Sequence, residues 1–321
     1  MSFSSEVKGE LSRQLSEARH CQIAEIAAII NLCGKVLISE EGTYSVQMHT
    51  ENEDVARKCF TLLKKAFNIE AEIAVRKSIY LKRGNVYLID IHDHQDALRL
   101  LQATKFVDTT EQIDEEVSLV SNKIIQRACC KRAFLRGAFL AAGSISAPEK
   151  FYHLEIVCTI KEKAEKLQAL VNNLEVPAKV VRRKKYYVVY VKEGAGIVDM
   201  LGLMEANVAL MNLENVRILK EMRNNVNRKV NCETANINKT VSAAVKQIED
   251  IKYIEATEGL SDLALGLKEI AIARLAYPDA TLKELGEMLE PRVGKSGVNH
   301  RLRKLSDIAE DIRANKEEEL L

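Results

Sequence analysis

The sequence predicts an α+β chain in which a duplicated αββαββα unit precedes an all-α C-terminal domain. Three observations lead to this prediction. Two helices that are apolar nearly all round each end at a glycine, the same order of strands and helices follows each glycine, and the last third contains only helical patterns. The length of 321 residues favours two domains at about 150 residues each.

Charge and hydropathy narrow the class of protein only a little. Lys plus Arg is 47 and Asp plus Glu is 46, so any surface for nucleic acid must be local. Residues 1–14 lack the apolar centre of a signal peptide, and no apolar run approaches the length of a membrane span. We therefore expect a cytoplasmic, nucleoid-associated protein that makes no membrane contact.

The cysteines and histidines give no metal-binding pattern along the chain. Seven cysteines are present, and none has C-x-x-C spacing. The histidines do not combine with them at ligand spacing, so we expect reduced thiols, no metal and no cofactor. His92 and His94 flank Asp93 in a strand-like stretch, where a polar surface role is the simpler interpretation.

The duplication begins with the two apolar helices, in Cys21–Gly34 and Lys131–Gly143. Their terminal glycines lie 109 residues apart and are interpreted as helix stops that tolerate positive φ. Small residues at four-residue spacing predict a close approach of the two helices at a pseudo-two-fold axis: Ala24 and Ala28 in one, Gly137 and Ala141 in the other.

Similar elements follow each glycine. In the first half they are strands at Lys35–Ile38 and Tyr44–Met48, a helix at Glu53–Phe67, strands at Ala71–Lys77 and Val86–His92, and a helix at Gln95–Thr104. In the second half they are a strand from Ser144, Tyr152–Thr159, a helix at Lys161–Asn173, strands at Lys179–Lys184 and Tyr186–Lys192, and a helix from Ile197. We divide the chain into a segment 1–20, a duplicated domain 21–205 (halves about 21–105 and 131–205), a helical linker 206–255 and a C-terminal domain 256–321.

Two nine-residue stretches carry a family resemblance. Ile26–Gly34 (IAAIINLCG) and Leu135–Gly143 (LRGAFLAAG) resemble the LAGLIDADG motif of homing endonucleases, and the duplicated element order is the one that fold would have. The resemblance implies paired sheets that form a concave saddle over duplex DNA.

The residues needed for DNA cleavage are missing from both motifs. The resemblance implies an acidic residue before each final glycine, because Mg²⁺ needs oxygen ligands. Those positions hold Cys33 and Ala142. A sulfur suits Mg²⁺ badly and alanine offers no ligand, so we predict no cleavage. Rescue by a nearby acid would need a rearranged site; Glu25, Glu40 and Glu41 are the candidates.

Basic residues recur at matching places in the two halves. We interpret Arg76, Lys77, Arg182 and Arg183 as possible saddle contacts with DNA phosphates, supported by neighbouring Lys82, Arg83, Lys184 and Lys185. The alternative is a solvated hairpin tip, which is usually charged.

The segment that follows the duplicated domain is rich in basic residues and asparagines. From it we select Arg223, Arg228 and Lys239 as DNA contacts, since asparagine and basic side chains can bind phosphates and base edges. Asparagine is unfavourable inside helices, so we expect a helix to resume only near Thr240. A polar linker without a DNA role is the alternative.

The C-terminal domain predicts a helix-turn-helix. A helix at Leu263–Ala276 is followed by a turn, a short helix at Leu282–Leu289 that Thr281 caps, and a basic helix at Gly297–Leu305 that Ser296 caps. Val298, Leu302 and Leu305 form its core face. The predicted DNA contacts are Lys295, Ser296, Asn299, His300, Arg301, Arg303 and Lys304. A plain three-helix module is the alternative.

The whole chain resembles the WhiA family of bacterial proteins. The stretches NRKVNCETANINKT (Asn227–Thr240) and KELGEMLEPRVGKSGVNHRLRKL (Lys283–Leu305) carry the resemblance together with the two degenerate motifs. It implies a transcription regulator tied to sporulation, cell division and chromosome segregation. The expected partner is double-stranded DNA, with other regulatory proteins or RNA polymerase as further candidates. The rival hypotheses are a residual endonuclease, an RNA-binding splicing cofactor and a protein-interaction module.

Overall fold

The chain folds into two units, residues 1–221 and 222–321, in a computed structural model that describes residues 2–77, 84–107 and 123–318, with side chains placed through residue 315. The first unit starts with α1 (Phe3–Arg13). Its first half is α2 (Arg19–Cys33), β1 (Gly34–Ile38), β2 (Tyr44–Thr50), α3 (Glu53–Phe67), β3 (Glu72–Lys77), β4 (Asn85–Ile91) and α4 (His94–Ala103). Its second half is α5 (Ala128–Ala142), β5 (Gly143–Ile145), β6 (Leu154–Cys158), α6 (Lys161–Asn172), β7 (Lys179–Arg183), β8 (Tyr186–Val191) and α7 (Gly194–Met204). The predicted duplication is confirmed.

Each half builds one antiparallel four-stranded sheet. The strand orders are β1-β2-β4-β3 and β5-β6-β8-β7, so the two sheets have the same topology. Alternating burial along a strand shows which face of each sheet packs on the core. In β2, Tyr44, Val46 and Met48 are buried in the core, while the residues between them are not. We call the face that alternates with these core positions the outer face of each sheet.

Helices α2 and α5 pack against each other at the centre of the first unit. A Cβ added to Gly137 would lie 2.3 Å from the Glu25 carbonyl oxygen and 3.0 Å from the Ala28 Cβ. The predicted close approach through small residues is therefore confirmed, and only glycine fits at position 137.

The glycines that end these two helices act differently from the prediction. Gly34 and Gly143 have φ of −91° and −85°, so the interpretation that they supply positive φ is wrong. A Cβ would lie 2.4 Å from the Ile30 carbonyl oxygen at Gly34 and 2.6 Å from the Phe139 carbonyl oxygen at Gly143. The missing side chain lets the chain leave the helix tightly and enter the next strand at once.

The second unit contains the last part of α8 (Asn207–Thr257), then α9 (Leu265–Ala276), α10 (Leu282–Glu287) and α11 (Lys295–Glu318). The expected break before Thr240 is wrong, because α8 is one helix of 51 residues. Its ends are held by packing: Leu213 lies in the first core, and Ile251 and Ile254 lie in the second. None of the described helices is long and apolar enough to cross a membrane.

Candidate nucleic-acid interface

Local hydrogen bonds fix the start of α10. The Thr281 hydroxyl accepts from the Glu284 amide at 3.3 Å, and the Thr281 amide donates to the Glu284 carboxylate at 2.7 Å. This capping box satisfies amides that the first helical turn leaves open. The predicted cap at Thr281 is confirmed.

The turn between α10 and α11 is held by backbone hydrogen bonds. The Val293 amide donates to the Gly286 carbonyl at 3.0 Å, and the Val298 amide donates to the Gly294 carbonyl at 3.1 Å. Helix α11 therefore starts at Lys295, two residues earlier than predicted, and it continues past Leu305 to Glu318. The predicted cap at Ser296 is wrong, since Ser296 lies inside the first turn.

A buried arginine holds the turn between α9 and α10. The Arg274 guanidinium donates from one nitrogen to the Pro278 carbonyl at 3.2 Å and to the Ala280 carbonyl at 2.8 Å. Burial lowers the pKa of Arg274. These contacts fix where α10 begins relative to α9. The Arg274 side chain supplies the loop carbonyls with hydrogen bonds that water would otherwise make.

Helix α11 has one buried and one exposed face. Val298, Leu302 and Leu305 are buried in the second core, as predicted. Each residue of an α-helix is rotated by about 100° from the one before it. On this basis five side chains lie on the opposite side of α11, within an arc of about 140°: the exposed Ser296, His300, Arg303 and Lys304 and the partly buried Asn299. Lys295 is exposed in the first turn. We call this surface the α11 face. It is basic over three turns, because the first acidic residue of α11 is Asp307.

The predicted contact residue Arg301 lies on a different side of α11. Its guanidinium donates to the Gly266 carbonyl in the first turn of α9 at 3.2 Å. A Cβ at position 266 would lie 3.0 Å from the Arg301 Cζ atom, so glycine leaves room for this contact. The structure thus gives Arg301 a packing role between α9 and α11 and separates it from the α11 face.

The three predicted contacts in α8 are exposed, but they do not share one side of the helix. Arg228 and Lys239 are eleven residues apart and lie within about 20° of each other, whereas Arg223 lies about 140° away from Arg228. A straight duplex could meet Arg228 and Lys239 together but not all three at once.

The predicted saddle contacts separate into two faces. Arg76 pairs with Val86, and Arg183 pairs with Tyr186, which places both arginines on the outer faces at matching positions. Lys77 and Arg182 are the strand neighbours of these arginines, so their side chains lie on the opposite face of each sheet. Lys82 and Arg83 lie outside the described residues. Arg183 also forms an ion pair with Glu155 at 3.0 Å. Burial of Glu155 acts against its ionisation, but His153 and Arg183 outweigh it and lower the Glu155 pKa.

The outer faces carry nearly balanced charge among the described residues. In the first sheet the register places Lys35 and Arg76 with Glu72 and Asp90. Gln47 donates to the Asp90 carboxylate at 2.7 Å. Duplex DNA presents one negative charge every ~1.7 Å of its axis, so acids on this face weigh against a strong phosphate contact.

The two positions that would hold the acids of a LAGLIDADG nuclease are unsuited to Mg²⁺. The Cys33 thiol is buried and donates to the Ile29 carbonyl at 3.2 Å. Burial raises the pKa of Cys33 to about 11, so the thiol stays protonated at neutral pH. Ala142 has no donor atom. Glu40 and Glu41 lie exposed at the β1–β2 turn.

Glu25, the third candidate acid, is fully buried in an ion-pair network. Its carboxylate lies 2.6 Å from the Lys58 ammonium, 3.1 Å from the Arg136 Nε atom and 3.3 Å from another nitrogen of Arg136. Arg136 also donates to Glu205 at 2.9 Å and to the Ser16 hydroxyl at 2.9 Å. The network connects α2, α3 and α5, and it leaves Glu25 without access to a phosphate. Its burial and its ion pairs weigh against the hypothesis that Glu25 rescues cleavage.

One cluster of potential ligands was missed by the sequence analysis. His20, Cys21, Cys129 and Cys130 place their nitrogen and sulfur atoms within 4.8 Å of one another. Spacing along the sequence did not predict this grouping in space. The pairs lie in two segments far apart in sequence, and no short spacing pattern can reveal them.

These two units define a class of protein, in which a duplicated LAGLIDADG-like domain precedes a helix-turn-helix domain. Family models match residues 19–107 as the WhiA N-terminal LAGLIDADG-like domain, residues 131–223 as the WhiA LAGLIDADG-like domain and residues 226–309 as the WhiA C-terminal HTH domain. The chain belongs to the WhiA family.

Full-length relatives agree with this assignment. The chain is 54% identical to a probable cell division protein WhiA of Lachnoclostridium phytofermentans, over 98% of this chain and 100% of that protein. It is 49% identical to the protein of the same name from Clostridium perfringens, over 98% and 99% of the two chains. The crystal structure of full-length DUF199/WhiA from Thermatoga maritima matches with a TM-score of 0.58 at 23% identity, over 97% of this chain and 99% of that one, which supports the fold.

Proposed function

We propose that this chain is a sequence-specific DNA-binding transcription regulator that reads the major groove with the α11 face and does not cleave DNA. The observation that carries the proposal is the acid-free, basic and amide-bearing surface directly opposite the buried side of α11. Side chains of this kind bind phosphates and base edges, and a helix of this size fits the major groove. Helix α10 and the two fixed turns support its orientation.

The biological process follows from the relatives. Because proteins about half identical over their full length are named probable cell division proteins, we infer that this chain regulates genes of cell division. We extend the inference to sporulation and chromosome segregation on the family resemblance. Duplex DNA is the partner that the α11 face fits, and RNA polymerase or another regulator would be recruited beside it.

Loss of cleavage follows from the residues at the two motif ends. With Cys33 and Ala142 in place of acids, and with Glu25 neutralised by Lys58 and Arg136, the helix pair offers Mg²⁺ no suitable group there. RNA binding is less favoured, because the α11 face lacks the aromatic side chains on which single-stranded bases stack.

Arg303→Ala tests the reading role of α11. If Arg303 contacts a guanine, we expect cognate duplex to bind about 5–150-fold more weakly, with relaxed specificity at one base pair. If it contacts phosphate instead, binding falls evenly across sequences. Fluorescence anisotropy with cognate and scrambled duplexes at fixed salt measures both effects.

Two matched variants control this experiment. Lys283→Ala removes an exposed positive charge from α10, and Arg183→Ala removes one from the outer face of the second sheet. Both are expected to leave cognate affinity nearly unchanged. Equal binding by Arg303→Ala and the native chain would refute the proposed role, and a large loss in Arg183→Ala would assign DNA contact to the sheets.

A further inference from the structure

We propose that His20, Cys21, Cys129 and Cys130 bind one zinc ion that joins the two halves of the LAGLIDADG-like domain. These four residues lie in the first turns of α2 and α5, at the end of the helix pair remote from Cys33 and Ala142. The site is therefore separate from the positions that a nuclease would use, and its role is structural.

The spacing of the donor atoms suits a tetrahedral ion. The His20 Nδ1 atom lies 3.2 Å from the Cys130 Sγ atom and 3.3 Å from the Cys21 Sγ atom, and all four donors lie within 4.8 Å of one another. Bonds of about 2.3 Å to sulfur and about 2.0 Å to nitrogen place the donors of a tetrahedral zinc roughly 3.5–3.8 Å apart. Side-chain movements of up to about 1 Å would complete the geometry.

The internal duplication explains how such a site arises from distant residues. His20 and Cys129 are the second residues of α2 and α5, and Cys21 and Cys130 are the third. Each pair is separated by 109 residues, the same interval that separates Gly34 and Gly143. Equivalent backbone positions thus meet at the pseudo-two-fold axis, and each half contributes two ligands.

The surroundings place positive charge beside the cluster, where it can balance metal-bound thiolates. Both helices point their N-termini at the cluster, and among the described residues neither N-cap, Ala18 or Arg127, supplies a capping side chain. Arg127 is exposed and approaches the His20 Nε2 atom at 3.4 Å. Three thiolates and a neutral histidine around Zn²⁺ carry a net charge of −1, which the Arg127 guanidinium can balance. Metal binding leaves the His20 proton on Nε2, so Arg127 would turn from that nitrogen towards the thiolates.

The donor set itself favours a zinc ion. Zinc displaces a proton to solvent from each thiol that it binds, with no electron transfer. Thiolate and imidazole ligands in a set of four select zinc over Mg²⁺ or Ca²⁺.

Cobalt substitution of the full chain tests the site directly. We expect chelator-treated, reduced protein to bind one Co²⁺ per chain, with the visible bands of tetrahedral cobalt and a thiolate-to-cobalt charge-transfer band, and zinc to displace it. Protein purified without chelator should contain one zinc per chain by mass spectrometry. Failure to develop the cobalt bands would overturn the proposal, as would a disulfide within the cluster in protein isolated under reducing conditions.

A pair of serine variants identifies the ligands. Cys129 is exposed, so Cys129→Ser should fold, and we expect it to weaken cobalt affinity at least about tenfold and to lose a share of the charge-transfer intensity. Cys232→Ser removes an exposed cysteine of α8 and should bind cobalt like the native chain. Unchanged cobalt binding by folded Cys129→Ser, checked by circular dichroism, would contradict the assignment.

Discussion

Glu25→Gln is expected to lower the free energy of unfolding of the first unit by about 3–5 kcal/mol. The substitution keeps the shape of the side chain but removes the negative charge that lies between the buried Lys58 ammonium and the buried Arg136 guanidinium. Burial already lowers the pKa of Lys58, and Glu25 is the group that opposes this effect. Without it, two positive charges face each other with little water to screen them.

Chemical denaturation followed by circular dichroism measures the expected loss. Glu205→Gln is the control, because Glu205 pairs with the same arginine but its side chain is 43% exposed. We expect the control to lose about 1 kcal/mol or less, since water screens an exposed pair. If Glu25→Gln kept native stability and instead changed Mg²⁺-dependent nicking of plasmid DNA, Glu25 would be a nuclease residue and the structural account of it would fail.

Gly286→Ala is expected to abolish sequence-specific DNA binding, although the residue makes no proposed DNA contact. A Cβ at position 286 would lie 2.0 Å from the Val293 carbonyl oxygen and 3.1 Å from a methyl group of Val298. In a helix alanine is more favourable than glycine by about 1 kcal/mol, but overpacking costs about 1–3 kcal/mol. Here the atom in the way belongs to the backbone, so no change of side-chain rotamer can relieve the clash. The turn must shift, and α11 must shift with it.

Gly294→Ala provides the matched control in the same turn. A Cβ there meets no atom within 4 Å, so we expect native affinity for a cognate duplex. Anisotropy titrations of both variants, with far-ultraviolet circular dichroism to confirm helix content, give the comparison. Tight and specific binding by Gly286→Ala would mean that α11 is not held by this turn, or that it is not the reading helix.

The fold could be predicted because its determinants are local in sequence. Alternating burial in the strands, the apolar helices that end at Gly34 and Gly143, and the capping residue Thr281 are each visible within a few positions. The unbroken helix α8 was missed because the helical penalty of asparagine, at most ~0.7 kcal/mol per residue, is overcome by packing at both ends.

The candidate sites were harder to predict, because their partners come from distant segments. In the sequence Glu25 looks like an acid without a partner, because Arg136, with which it pairs in the fold, is 111 residues away. In the sequence Arg301 looks like one more basic residue of the α11 face, and only the fold shows that it donates to the Gly266 carbonyl of α9. Arg182 and Arg183 look equivalent, yet strand pairing places them on opposite faces. Sequence periodicity identifies a face of an element, but it does not identify what lies opposite that face.

Selection from a pool of random duplexes tests the central claim most directly. Purified full-length protein would be incubated with the pool at near-physiological salt, with and without Mg²⁺, and the retained DNA sequenced and sized. We expect an enriched motif and intact DNA in both conditions. Fragments that appear only with Mg²⁺ would contradict the loss of cleavage, and retention without any enriched sequence would contradict the reading role of α11.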